Sequence, residues 1–310
     1  MQDYKRKIAV ITPIKHLELE KLIESKGEVY YLENGSKSEV RLLLMSKSIN
    51  TILCNPNKQS YIIDRELLEG TKVKLVNTCS TGLSHIDLKF CKNNDIEVFS
   101  LTKDFDLIND LPSTSELAFG LMLDLLRNIT SSQKHVLKFG WDYTEFIGRQ
   151  VKGLKIGIIG FGRLGKLMYK YCKAFEADVK VYDPYIPEFD NQRIEDFISQ
   201  CNVISLHVHL SNETRYMINK DTLSKARKDL IIINTSRGAV VNEIDLIRFL
   251  DAALIGGYGT DVLENENDDI RKSKLIQKMK LNKKIIITPH VGGMTIEGQT
   301  KAYKWSINKL

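Results

Sequence analysis

Eleven short runs of apolar, β-branched residues recur along the chain with amphipathic stretches between them, and this alternation restricts the fold more than any other feature. The first series is "KIAVIT" (7–12), "EVYYLE" (28–33), "INTILCN" (49–55), "KLVNTCS" (74–80) and "IEVFSL" (96–101). The second is "KIGIIG" (155–160), "DVKVYD" (178–183), "NVISLHV" (202–208), "LIIINTS" (230–236), "LIGGYGTDV" (254–262) and "KIIITP" (284–289). Strands covered on both faces read as near-continuous apolar runs, and parallel neighbours need a crossover helix between them. Two such series predict two α/β units with parallel sheets, which suits a chain of 310 residues.

Between the series, residues 112–139 read as a helix that opens "PSTSE", with Ser113 and Glu116 in capping-box spacing. Leu117, Leu121, Leu125 and Ile129 follow at helical spacing. Two readings stand side by side: a connector that packs against a second subunit, or a core helix. Glu116, Asp124 and Arg127 exclude it as a membrane span. The N-terminal apolar run is short, is cut by Pro13 and lacks a small-residue cleavage pattern, so it reads as a first strand and not a leader. Five cysteines, odd in number and never in a CxxC pair, point to reduced thiols and no metal site. The net charge of +6 is spread along the chain without a basic stripe, which argues against nucleic acid and suits a protein that handles small anions. These features predict a soluble, cytoplasmic protein.

The segment "KIGIIGFGRLGK" places Gly160, Gly162 and Gly165 in GxGxxG spacing, directly after a strand and at the start of a helix. Gly160 permits the tight turn, Gly162 lets a pyrophosphate approach the backbone, and Gly165 lets helix and strand pack closely. The helix amides and dipole then favour the phosphates. Glycine-rich strand–helix turns also arise for steric reasons alone, so the context decides. The next strand ends at Asp183, 18 residues beyond Gly165. An acid there binds the ribose hydroxyls and repels a 2′-phosphate, which favours NAD over NADP.

Three later strand ends carry ionisable groups: Arg237 in "NTSRGAVVNE", Asp261 followed by Glu266 in "GTDVLENE", and His290 in "TPHVGG". Ligands bind outside the carboxyl ends of parallel strands, so these groups can converge. Hydride transfer to a carbonyl leaves an oxyanion that needs a proton, and histidine is the natural acid near neutral pH. A carboxylate beside it orients the ring and favours imidazolium. A guanidinium grips a substrate carboxylate with two parallel bonds and polarises the adjoining carbonyl. Singly, each residue has a structural explanation, and His290 alone could serve only a loop carbonyl. Their joint occurrence behind a dinucleotide turn supports the catalytic reading.

In order, "GIIGFGRLG", "INTSRGAVVNE", "GTDVLENE" and "TPHVGGMTIEGQ" resemble the D-isomer-specific 2-hydroxyacid dehydrogenases, nearest the 3-phosphoglycerate-dehydrogenase-like branch. "NTCSTGLSHIDL" and "STSELAFGLMLDLLRN" extend the likeness from about residue 50 onward. The resemblance implies two Rossmann-like doubly wound parallel-sheet domains: a discontinuous substrate-binding domain (1–106 and 288–310) and an inserted NAD-binding domain (107–287) that includes a dimerisation helix, 112–139. It implies an enzyme that moves a hydride between NAD(H) and a D-2-hydroxy or 2-keto acid, 3-phosphoglycerate-like acids among them. Arg237 would bind substrate, Glu266 would pair with His290, and His290 would be the acid–base group. The loop Ser80, Thr81, Gly82 would hold the substrate carboxylate by its amides. Cofactor contacts are implied at Arg163, Leu164, Asp183, His207, Val208, Thr235, Asp261 and Gly293, beside the three glycines. A homodimer joined through the NAD domains is also implied.

Four positions depart from the family pattern. His209 stands where proline is usual, Asn267 replaces the proline after the glutamate, Gly298 replaces an alanine, and His85 occupies a position often held by asparagine. His209 reads as a cofactor-edge or surface residue and not as a second catalyst. The C-terminal regulatory domain of many serine-pathway relatives is not in this sequence, so feedback inhibition by that route is not expected. "CNPNKQSY" (54–61) offers Asn55, Asn57 or Lys58 to a phosphate or polar tail, and an ordinary solvated loop is the competing reading. From another functional class, the same fold serves NAD(H)-sensing binding proteins of the co-repressor type. The formate dehydrogenases carry glutamine where Glu266 stands, which disfavours that activity.

Overall fold

A computed structural model describes residues 6–56, 61–189, 192–266 and 269–310; Asn57, Lys58 and Asn267 lie outside the described residues. Each of the eleven apolar runs carries a strand. They are β1 (Lys7–Val10), β2 (Glu28–Tyr31), β3 (Thr51–Cys54), β4 (Leu75–Thr78), β5 (Glu97–Phe99), β6 (Lys155–Ile159), β7 (Asp178–Tyr182), β8 (Val203–Leu206), β9 (Ile231–Asn234), β10 (Gly257–Thr260) and β11 (Ile285–Ile287). They form two all-parallel sheets, β2-β1-β3-β4-β5 and β11-β10-β9-β8-β6-β7. The fold is α/β with two Rossmann-like domains. In each sheet the strand order reverses beside the first strand, which puts a ligand crevice at its carboxyl end.

The chain divides into two compact units, Met1–Leu111 with Gly293–Leu310, and Pro112–Gly292. In the first, alternate residues of one strand enter opposite cores. Ala9 and Ile52 join Val40, Leu44 and Val76 on one face, while Ile8, Val10 and Leu53 meet Tyr303 and Ile307 of the final helix, Ile296–Asn308, on the other. Those contacts bring the C-terminal helix into the N-terminal unit. Trp305 donates to Asp104, and Lys301 pairs with Asp110. Full burial of each such aliphatic side chain stabilises by roughly 1.5–3 kcal/mol.

The second unit repeats this plan. Ile231 and Ile233 face Leu121, Met122 and Met168, while Ile232 and Tyr258 face Leu246 and Leu206. The segment expected as one helix over 112–139 is two, Ser113–Arg127 and Ile129–Val136, separated by Asn128 in the left-handed conformation at φ 56°. The expected capping box is absent. Pro112 already has helical φ/ψ and occupies the cap position, so Ser113 is the first helical residue, not the cap. Ala118, Leu121, Met122 and Leu126 are buried in the core, so the first helix is a core helix on one face. Among the described residues, no helix is long and apolar enough to cross a membrane.

Candidate active site

The neighbours β9, β10 and β11 end side by side, with Asn234, Thr260 and Ile287 in register. The next residues along are therefore Thr235, Asp261 and Thr288, and the ionisable groups follow within a few positions. His290 Nδ1 lies 2.9 Å from Glu266 Oε1, so the two sequence-predicted partners meet. The second Glu266 oxygen accepts from Leu263 N–H at 3.4 Å. Burial would raise the Glu266 carboxyl, but the hydrogen bond and charge of His290, the Leu263 amide and the charge of Arg237 outweigh it and hold Glu266 below the usual range. With Nδ1 committed to Glu266, Nε2 is the ring nitrogen that can deliver a proton.

His290 adopts φ 54°, a left-handed conformation that costs a non-glycine residue roughly 1–2 kcal/mol. Asp261 holds that turn. Its backbone oxygen accepts from His290 N–H at 3.0 Å. Its Oδ1 accepts from Thr288 Oγ1 at 2.5 Å and Val291 N–H at 2.8 Å, and its Oδ2 accepts from Gly292 N–H at 2.7 Å. Asp261 is buried, and burial pushes its carboxyl up despite these donors. Expected as a cofactor contact, it directs its oxygens to the histidine turn.

Arg237 begins the turn after β9, where its Nη1 donates to Ser236 O at 2.7 Å. Buried Asn234 shapes this turn: its amide donates to Arg237 O at 3.0 Å, and its oxygen accepts from Ser236 N and Oγ at 3.1 and 2.8 Å. A Cβ on Gly238 would stand 2.0 Å from the Leu263 carbonyl carbon and 2.2 Å from Glu264 N. The arginine turn thus rests directly on the segment that leads to Glu266. Glu243 Oε1 accepts from Glu264 N–H at 3.0 Å, and its carboxyl is raised, chiefly by burial. Sequence reasoning missed Asn234, Thr288 and Glu243. The available signal was a polar residue where an apolar run ends.

The phosphate turn has the geometry expected of it. Gly160 has φ 88°, and a Cβ there would lie 2.7 Å from His207 O. A Cβ on Gly165 would lie 2.0 Å from Gly160 O, whereas one on Gly162 meets nothing within 4 Å. Gly162 caps the helix Arg163–Ala174 without a side-chain hydrogen bond, so the open side faces helix amides. Arg163 and Leu164 are partly buried in its first turn, where Leu164 O accepts from Ser115 Oγ at 2.9 Å. Asp183 Oδ2 accepts from Phe161 N–H at 2.8 Å and Oδ1 from Tyr185 N–H at 3.1 Å, which ties the acid to the glycine turn. Across the crevice, His207 Nε2 lies 2.8 Å from Ser205 Oγ, and burial lowers the imidazole to about 4. His207 Nδ1 and Thr235 Oγ1 are buried without a protein partner among the described residues. Val208 packs beside Gly160. An open glycine at a helix N-terminus, unpartnered polar atoms and a strand-end acid suit a dinucleotide.

The remaining expected residues lie in the other unit. Ser80 Oγ donates to Gly82 O at 2.7 Å, and Thr81 is exposed. Asn55 is 4% exposed and bonds the Tyr303 hydroxyl, so it serves the core of that unit. Gly293 has open space where a Cβ would be. His209 is exposed, and its carbonyl accepts from Thr214 Oγ1 at 2.6 Å. No metal-holding cluster occurs among the described residues.

Fold and site together define a dinucleotide-binding oxidoreductase with a histidine–carboxylate pair and an adjacent arginine. The family described as "D-isomer specific 2-hydroxyacid dehydrogenase, NAD binding domain" matches residues 119–292. The hydroxypyruvate reductase of Thermotoga maritima is 31% identical over 238 residues, covering 75% of this chain and 74% of that protein. The D-3-phosphoglycerate dehydrogenase of Methanocaldococcus jannaschii is 29% identical over 305 residues, 96% of this chain but 55% of its own length. The chain therefore spans only about half of that relative. The D-lactate dehydrogenase from Aquifex aeolicus, solved with NAD and lactic acid, superposes with a TM-score of 0.79 at 24% identity, covering 98% and 94% of the two chains. The chain belongs to the D-isomer specific 2-hydroxyacid dehydrogenase family, and its cofactor is NAD.

Proposed function

We propose that the chain catalyses the reversible reduction of a small 2-keto acid to a D-2-hydroxy acid, with His290 as the acid–base group. The observation that carries this reading is the 2.9 Å contact between His290 Nδ1 and Glu266 Oε1 on a turn clamped by Asp261. Bound NADH supplies the hydride in reduction, and NAD accepts it in oxidation. His290 Nε2–H donates a proton to the oxygen of the carbonyl as negative charge develops there, and the neutral ring takes that proton back in the reverse direction. Glu266 accepts from Nδ1–H and so leaves Nε2 to face the substrate. Arg237 binds the substrate carboxylate and polarises the carbonyl next to it. The amides of Ser80, Thr81 and Gly82 hold the same carboxylate.

In this reading Pro112–Gly292 is the NAD-binding unit, and Met1–Leu111 with Gly293–Leu310 is the substrate-binding unit. Gly160, Gly162, Arg163, Leu164 and Gly165 take the pyrophosphate, Asp183 the ribose, and His207, Val208, Thr235 and Gly293 line the rest. The likeness to a D-3-phosphoglycerate dehydrogenase extends the substrate class to phosphorylated acids. We also infer a homodimer. Leu137, Phe139, Trp141, Tyr143 and Ile147 are 73–99% exposed, and so large an apolar surface is rare on a monomer.

NADH oxidation across a panel of plain and phosphorylated 2-keto acids tests the activity. At least one substrate should turn over. A wholly inert panel with intact NADH binding would refute it in favour of a nicotinamide-sensing protein.

A further inference from the structure

The first unit contains a buried imidazole that the proposed chemistry leaves unassigned. His85 is 5% exposed. Its Nε2 lies 3.0 Å from Thr78 Oγ1 and 3.8 Å from Cys54 Sγ, where β4 and β3 end. Thr78 Oγ1 is in turn 3.2 Å from Ser80 Oγ, and Ser80 Oγ donates to Gly82 O at 2.7 Å.

Counting protons gives this chain one direction. A hydroxyl has one hydrogen. Ser80 directs its hydrogen to Gly82 O, so towards Thr78 it can only accept. Thr78 therefore donates to Ser80 and must accept from the ring. His85 then carries its proton on Nε2, and Nδ1 is a bare lone pair. The opposite tautomer would place two oxygen lone pairs face to face and bury an N–H at Nδ1, which has no protein partner among the described residues. An orphaned buried N–H is rarer and costlier than an orphaned acceptor. Burial lowers the imidazole to about 4, so the ring stays neutral near neutral pH.

We propose that His85 is a positioning residue for the loop Ser80–Gly82, fixing its amides through the one-way chain His85 Nε2–H to Thr78 to Ser80 to Gly82 O. The inference rests on the reading above that these amides hold the substrate carboxylate. Each carbonyl in the loop has a donor, and each fixed carbonyl orients the next N–H. Ser80 O accepts from Leu101 N–H at 3.1 Å, Thr81 O accepts from Thr102 Oγ1 at 3.4 Å, and Gly82 O accepts from Ser80. The His85 chain secures the third: the bond from Ser80 to Gly82 O closes a ring that holds the Thr81 and Gly82 amides between its ends.

Two measurements test the proposal. In the full chain without substrate, nitrogen chemical shifts of labelled histidine should report a neutral Nε2–H tautomer for His85 from pH 6 to 8 (roughly one unit each side of neutrality). An Nδ1–H tautomer or an imidazolium overturns the chain whether or not the protein is an enzyme. With a keto acid that the wild type reduces, His85→Leu and Thr78→Val should each raise KM about threefold to tenfold, the range one lost hydrogen bond gives. kcat should stay within about twofold, because uniform binding alone is lost. NADH affinity should not change. His85→Gln, which restores an N–H near Nε2, should recover KM, whereas His85→Asn should not. An unchanged KM in His85→Leu, or no difference between Gln and Leu, overturns the positioning role. A wild type inert to every keto acid overturns only the reading on which the kinetic arm rests.

Discussion

Glu266→Gln removes the charge of the Glu266–His290 pair while its oxygen can still accept from Nδ1–H, and only the 3.4 Å bond from Leu263 N–H is lost with it. The charge centres of the native pair lie roughly 4 Å apart, which at an effective dielectric of about 20 corresponds to roughly 4 kcal/mol of attraction. The side chains are 37% and 31% exposed, so solvent screens part of it. A discount of about half leaves roughly 2 kcal/mol of attraction between the charged partners. In the proposed mechanism the ring is partly charged as the proton moves, so that attraction stabilises the transition state. Removing it should lower kcat/KM for keto-acid reduction roughly thirtyfold at constant pH. Oxidation passes through the same transition state, so its kcat/KM should fall by the same factor.

Stability supplies a second check on the same variant. The folded Glu266 carboxyl lies below its ordinary value. Its contribution is therefore present above the unfolded pKa and lost as pH falls through the folded one. Glu266→Gln should melt earlier than wild type at neutral pH, with the difference closing in acid. Steady-state profiles in both directions with parallel melts make the measurement. A kcat/KM within about twofold of wild type in both directions would refute the electrostatic role.

His290→Gln should leave NADH affinity near wild type by fluorescence titration while turnover falls at least about a hundredfold, the usual contribution of a general acid; undiminished turnover would sink the assignment. Asp261→Asn must place its NH2 group against either Gly292 N–H or the Val291 and Thr288 donors, and one unsatisfied buried donor costs about 1–3 kcal/mol. A fall in kcat of roughly tenfold or more should follow, with faster amide exchange at Val291 and Gly292, whereas unchanged exchange would contradict the clamp. Because burial already raises the Asp261 carboxyl, removing its charge offsets part of the loss, and the melting temperature should move less than kcat. Phe139→Glu with Trp141→Glu should convert a dimer to a monomer in sedimentation, and a dimer of unchanged affinity would show that the apolar arm is not the interface.

The central strands were legible because they are buried on both faces, as in β3, β4, β8 and β9, and such runs stand out between charged helices. Their ends were legible too: Gly160 and Asp183 close a run, and Arg237 and His290 follow one directly. Helix boundaries were less so. Ser113 and Glu116 have capping-box spacing, yet Pro112 fixes φ near its helical value and takes the cap position. Within 112–139 the mark of the break is Asn128 itself, since asparagine tolerates the left-handed conformation that ends a helix, and the helical spacing that continues to Ile129 hides it.

What escaped the sequence has a common physical origin. Asn234 and Glu243 act on backbone amides and carbonyls, as does the carboxylate of Asp261, and those partners carry no side-chain signature. Asp261 is the instructive case. As a letter it is an acid near a cofactor turn; in place, its carbonyl and both carboxylate oxygens hold the left-handed His290 turn. The strain of that turn and the cost of burying the carboxylate are met by the same hydrogen bonds, so neither feature is stable without the other. A histidine displayed from a relaxed loop could approach Glu266 in many geometries. One held at φ 54° by three donors to a single carboxylate has few, and that restriction is what the proposed proton transfer needs.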